Sequence, residues 1–184
     1  MNYAQILTCD MANGPGMRVS LFVSGCTHHC RGCFNEVAWP FDYGEKFDRE
    51  TENRLLETVK PSYYQGMTLL GGEPFEPVNQ KGLISFLRRY KEEYPDKDLW
   101  AFTGYIYDQD LVPGGRAFTD VTDEMLSYVD VLVDGPFMED RKDITLLYKG
   151  SSNQRTIDMK QTRQEGKIIF WNPGDVSMSK MTHL

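Results

Sequence analysis

Apolar residues fall in short blocks along the chain, each closed by glycine or proline, and two spacings alternate. Residues 17–24, Met-Arg-Val-Ser-Leu-Phe-Val-Ser, read as a strand that hands over to a loop at Gly25. Residues 48–59 carry an acidic start and apolar positions at helical spacing, with Pro61 as a stop. Residues 66–70 resemble a short buried strand running into Gly71-Gly72-Glu73-Pro74. An amphipathic helix follows over residues 77–94, with Leu83, Ile84, Phe86, Leu87 and Tyr90 on one side. Residues 99–103 form the next strand, and Pro113, Gly114 and Gly115 punctuate a loop over residues 110–120. A capped helical turn over residues 122–128 leads to a further strand at 129–134. Residues 144–149 read as a strand, 150–155 as a polar turn, and the polar, Met-rich stretch past Gly174 as a loosely held tail. Residues before about Met17 read as a lead-in that bends at Gly14-Pro15-Gly16.

Strands alternating with helices predict an α/β fold with a parallel sheet. In such folds ligand-contacting residues collect at the carboxyl ends of the strands. Cys26, Gly71, Thr103 and Asp134 each stand at such an end, so they are expected on one rim. At 184 residues and 40% hydrophobic content, the chain has material for one core and one domain. The formal net charge of -7 argues against a broad phosphate-binding surface, so no direct nucleic-acid partner is expected. No run approaches the roughly 18 apolar residues that cross a bilayer, and the first seven residues lack the basic start and apolar core of an export signal. Clustered thiols without such a signal favour the cytoplasm.

Chemistry concentrates in residues 26–33, Cys-Thr-His-His-Cys-Arg-Gly-Cys, where three of the four cysteines lie within eight positions. Three thiolates on one short loop suit a soft metal or an iron-sulfur cluster. A disulfide cannot use all three, and zinc would need a fourth ligand such as His28 or His29. Cys9 stands apart and reads as a small, partly buried side chain or a spare ligand. In residues 71–74 the paired glycines permit close backbone approach, Pro74 stiffens the exit, and Glu73 sets a carboxylate beside whatever binds. Thr103 either offers its hydroxyl to a ligand or has it satisfied by backbone.

The C-x3-C-x2-C spacing of Cys26, Cys30 and Cys33 resembles that of the radical S-adenosylmethionine enzymes. Most of that family carries a bulky residue before the third cysteine, where this chain has Gly32. The wider pattern, Asn13 to Arg18, Leu21 to Cys26, Gly32 to Asn35 and Trp39, is similar to the branch that activates the anaerobic ribonucleotide reductase, where glycine is usual. Gly71-Gly72-Glu73-Pro74 resembles the family's Gly-Gly-Glu-Pro motif, and Gly150-Ser151-Ser152-Asn153-Gln154-Arg155 resembles a segment of the same branch.

The resemblance implies an incomplete (β/α)6 barrel with a curved parallel sheet, a single domain with its core over about residues 15–160. It implies a [4Fe-4S] cluster on Cys26, Cys30 and Cys33 with one iron open to S-adenosylmethionine. It places contacts to S-adenosylmethionine at Gly32, Cys33, Phe34, Gly71, Gly72, Glu73, Thr103 and Asp134. Trp39 and Phe41 would then exclude water from the cluster or cover the end of the barrel. The implied reaction is one-electron cleavage of S-adenosylmethionine to methionine and a 5'-deoxyadenosyl radical, which takes hydrogen from a glycine of the reductase large subunit. Reduced flavodoxin or a similar donor would supply the electron, and a homodimer is left open. Activation of another glycyl radical enzyme such as pyruvate formate-lyase, or a non-catalytic iron-sulfur or zinc protein, are the competing readings.

Overall fold

The computed structural model describes residues 1–175. Its elements in chain order are β1 (Asn2–Asp10), β2 (Met17–Val23), β3 (Glu45–Lys46), α1 (Arg49–Val59), β4 (Tyr64–Gly71), α2 (Pro77–Glu93), β5 (Asp98–Phe102), α3 (Tyr107–Asp110), α4 (Thr122–Tyr128), β6 (Val131–Asp134), β7 (Arg155–Asp158) and α5 (Met159–Glu165). Local chemistry sets the helix starts. The Asp48 carboxylate accepts the Thr51 N–H at 3.0 Å to cap α1. Pro77 begins α2, where its missing N–H leaves nothing unpaired.

Seven strands form one mixed sheet in the order β3-β1-β2-β4-β5-β6-β7. The central strands β2, β4, β5 and β6 are parallel, while β1, β3 and β7 pair antiparallel at the edges. This corrects the expectation of a wholly parallel sheet. The lead-in is strand β1, folded back on β2 through the glycine-proline-glycine turn; its half-exposed positions hid the apolar pattern. Residues 144–149 form turns in place of the expected strand, with Ile144 91% exposed. Strand β7 and helix α5 come instead from the segment after that turn. The expected loose tail falls beyond the described residues.

Alternation along the strands sorts the two faces. Val19, Leu21, Val23, Met67, Leu69, Leu99 and Leu132 pack with helical Leu55, Leu83, Phe86, Leu87 and Met125 in the main core. Trp100, Val131 and Val133 form a second cluster with Phe102, Tyr148 and Trp171. Arg18 is fully buried, 5.6 Å from the Trp100 ring centroid. Its guanidinium donates to Thr68 Oγ1 at 2.7 Å, the Met67 carbonyl at 2.6 Å, the Pro15 carbonyl at 3.2 Å and Asp98 at 2.5 Å. One cation thus binds β2, β4, β5 and the turn before β2. Because the four parallel strands are neighbours, the loops leaving Val23, Gly71, Phe102 and Asp134 meet along one rim.

Removing the guanidinium leaves these acceptors unpaired. Arg18→Leu is expected to lower unfolding free energy by about 3 kcal/mol, read as a lower midpoint of urea unfolding. An unchanged midpoint would show that the buried network does not hold the strands.

Candidate functional site

A cavity of about 470 Å³ opens at that rim. Its wall includes Cys26, Cys30 and Cys33 from the loop after β2, Gly71, Gly72 and Glu73 after β4, and Thr103 and Gly104 after β5. Gly32 and Phe34 also border it, and the turn over residues 142–150 supplies the opposite side. Seven of the eight residues expected to contact S-adenosylmethionine are brought together here: Gly32, Cys33, Phe34, Gly71, Gly72, Glu73 and Thr103 line the cavity and Asp134 does not.

Backbone bonds stitch the first two loops together. The N–H of Gly72 donates to the Val23 carbonyl at 2.7 Å, and that of Glu73 to the Gly25 carbonyl at 2.8 Å. Gly71 carries φ +109°, and a β-carbon there would sit 2.7 Å from the Phe22 backbone. Contact with β2 is therefore sufficient reason for that glycine. The buried Glu73 carboxylate is a junction: Oε1 accepts the Phe75 N–H at 2.9 Å, and Oε2 accepts the Gly104 N–H at 2.7 Å and lies 3.0 Å from His28 Nε2. Glu76 Oε1 accepts from the Thr27 N–H at 2.8 Å and the Thr27 hydroxyl at 2.5 Å. From α2, Asn79 Nδ2 donates to the Ser24 and Glu73 carbonyls, each at 2.9 Å.

Sequence reasoning missed Glu76 and Asn79, and weighed His28 only as a zinc ligand. A signal was present: Asn79 and Gln80 interrupt the side of α2 that the pattern buries, and both are fully buried. His28 is held by Glu73 and stacks edge-on against Tyr105 with centroids 4.4 Å apart. His29, at φ 48°, packs against Trp39 at 4.5 Å. Gly32 has φ +71°, and a β-carbon there would meet the Glu139 side chain at 3.0 Å, which accounts for the missing bulky residue before Cys33. Thr103 Oγ1 accepts the Tyr105 N–H at 3.1 Å, so backbone engages that hydroxyl although the residue borders the cavity.

Asp134 stands behind the wall because its oxygens are taken. Arg155 Nε donates to Oδ1 at 2.9 Å, Arg155 Nη2 to Oδ2 at 2.5 Å, and the Tyr107 N–H to Oδ2 at 2.8 Å. Arg155 also donates to Asp108 at 2.8 Å. Asn153 Nδ2 donates to the Pro136 carbonyl at 2.7 Å and Gln154 Nε2 to the Gly135 carbonyl at 3.0 Å. The 150–155 segment thus braces the loop after β6. Cys9 is exposed, not partly buried. The register that sets Asp10 against Arg18 and Tyr3 against Val23 puts it toward the end of β2 away from Cys26.

A family model described as "4Fe-4S single cluster domain" matches residues 12–157. A protein of Haemophilus influenzae named anaerobic ribonucleoside-triphosphate reductase-activating protein is 44% identical over 84% of this chain and 96% of its own length. Proteins of the same name from Pasteurella multocida and from Enterobacteria phage T4 are 45% and 41% identical, each over 84% of this chain and over 95% and 92% of their own lengths. This chain belongs to the family of anaerobic ribonucleoside-triphosphate reductase-activating proteins.

The residues present fit the cluster that this family implies. Cys26, Cys30 and Cys33 are all free thiols on one wall. Three soft thiol donors carried by one loop suit an iron-sulfur cluster. Burial pushes the Cys26 thiol up to about 12, with the Glu73 charge adding to the rise, and burial likewise raises Cys30. A thiolate at Cys26 therefore needs a cationic metal beside it.

In iron-free protein at pH 8, a thiol with that pKa is ionised in about one molecule in ten thousand. Iodoacetamide is expected to label exposed Cys9 well before Cys26, and Cys26 labelling should climb about tenfold per pH unit below pH 12. Equal labelling rates by mass spectrometry would contradict this environment.

Proposed function

We propose that this protein activates the large subunit of an anaerobic ribonucleotide reductase in the cytoplasm by forming a glycyl radical on it. The observation that carries the reading is the single rim that gathers the three-cysteine loop and the Gly-Gly-Glu-Pro loop, in a chain whose relatives bear that activating name. In this reading Cys26, Cys30 and Cys33 hold the cluster. Gly32, Cys33, Phe34, Gly71, Gly72, Glu73 and Thr103 line the place of S-adenosylmethionine. Asp134 acts one step removed, by fixing Arg155 and the Tyr107 backbone behind that wall.

When bound, the cluster supplies one electron for reductive cleavage of S-adenosylmethionine, the chemistry that leads to a glycyl radical in a protein substrate. The chain's own residues position and shield. Glu73 offers a carboxylate to the cofactor's amino group, and Trp39 and Phe34 present apolar surface at the cavity that limits water. Phe34 is 83% exposed, and the cavity is open on that side. The reductase's glycine-bearing loop is the natural cover for it. Flavodoxin or a similar small carrier delivers the electron, and self-association into a homodimer is compatible with these assignments.

We also read the fold as an incomplete (β/α)6 barrel in one domain, with its core over about residues 15–160. The helices that share the main core with the parallel strands, and the family match over residues 12–157, support that reading. Among the described residues no helix is long and apolar enough to cross a membrane.

The test is anaerobic reconstitution with iron and sulfide, followed by reduction in the presence of S-adenosylmethionine and the reductase. Wild-type protein is expected to bind about four iron per chain, release 5'-deoxyadenosine and leave a glycyl radical signal in the reductase by electron paramagnetic resonance. Cys30→Ala should lose cluster and radical together. Cofactor cleavage without a signal in the reductase would remove the partner assignment.

A further inference from the structure

His28 lies between two of the cysteines yet its ring faces the next loop. Nε2 is 3.0 Å from Glu73 Oε2, and the two side chains are 9% and 1% exposed. A carboxylate that already accepts two backbone N–H groups is an acceptor here, so Nε2 carries the hydrogen. The ring is packed in place. Tyr105 meets it edge-on at 4.4 Å, and a β-carbon on Gly104 would lie 2.8 Å from it, so glycine there keeps the space open.

The two carboxylate oxygens are loaded unequally. Oε2 takes both the Gly104 N–H and His28 Nε2, while Oε1 accepts from Phe75 N–H alone among the described residues. Oε2 is thus the atom that ties the loop after β4 to the cluster loop and to the loop after β5, and His28, Glu73 and Gly104 all line the cavity. We propose that His28 is a positioning residue, which locks Glu73 to the cluster loop so that the Gly71–Pro74 turn and the cysteines meet S-adenosylmethionine at a fixed spacing from each other. This rests on the function proposed above and adds the residue that couples its two binding loops.

The test compares His28→Leu, which removes the donor, with His28→Gln, whose amide can restore it. The iron-loaded proteins are titrated anaerobically with S-adenosylmethionine, and the reduced cluster is followed by electron paramagnetic resonance. His28→Leu is expected to keep wild-type iron content and bind the cofactor about tenfold more weakly, without the wild-type spectral change at a concentration that saturates wild type. His28→Gln should recover most of both. Unchanged affinity and spectrum in His28→Leu would overturn the inference. Loss of iron in both variants would overturn it too, by showing that the ring holds the cluster loop itself. If wild-type protein shows no spectral response to the cofactor, the proposed function fails.

Discussion

One buried carboxylate holds the rim together. A carboxylate removed from water is costly unless its lone pairs are taken, and Glu73 meets that demand with donors from three loops, His28 after β2, Phe75 after β4 and Gly104 after β5. Satisfying Glu73 therefore requires that those loops come together. The backbone bonds from Gly72 and Glu73 to Val23 and Gly25 make the same demand from the other side of the turn. Glu76 and Asn79 extend the arrangement into α2, so the cysteine loop is tied to a helix that is itself anchored in the main core.

The fourth strand of the parallel set is secured differently. Arg155 bridges Asp134 and Asp108, and its neighbours Asn153 and Gln154 bond the carbonyls of Pro136 and Gly135. These contacts attach antiparallel β7 to β6 and fix the loop between them and α3. The segment's resemblance to relatives is thus accounted for by geometry, with no chemical step assigned to it. Arg18 serves the opposite end of the sheet, where it ties β2 to β4 and β5.

Much of this was legible in the chain. The strands β2, β4, β5 and β6 and the helices α1, α2 and α4 follow from runs and spacings in which packing and pattern agree. Strand β1 was hidden because it buries few of its residues, here Tyr3 and Asp10, with β3 covering its outer side only at Asn2 and Tyr3. Residues 144–149 misled for the converse reason: their apolar side chains border an open cavity, so β-like composition signals no strand. The cysteines and the glycine pair stood out by spacing. Asp134 was placed at the right strand end, but its engagement by Arg155 depends on an antiparallel return that no local pattern announces. The roles of His28 and Glu76 depend on contacts across more than forty residues and became visible only in three dimensions.

Electrostatics gives the site its chemical direction. Cys26 is buried near an acid, an environment that opposes a free thiolate and welcomes one bound to iron. In the proposed function Cys26, Cys30 and Cys33 take three corners of a cube and leave the fourth to an outside ligand, and that vacancy is the central claim. Mössbauer spectroscopy of protein reconstituted with 57Fe, with and without S-adenosylmethionine, tests it most directly. The account predicts one iron in four whose parameters shift when the cofactor is added. Four irons that ignore the cofactor, or no cube at all, would contradict it.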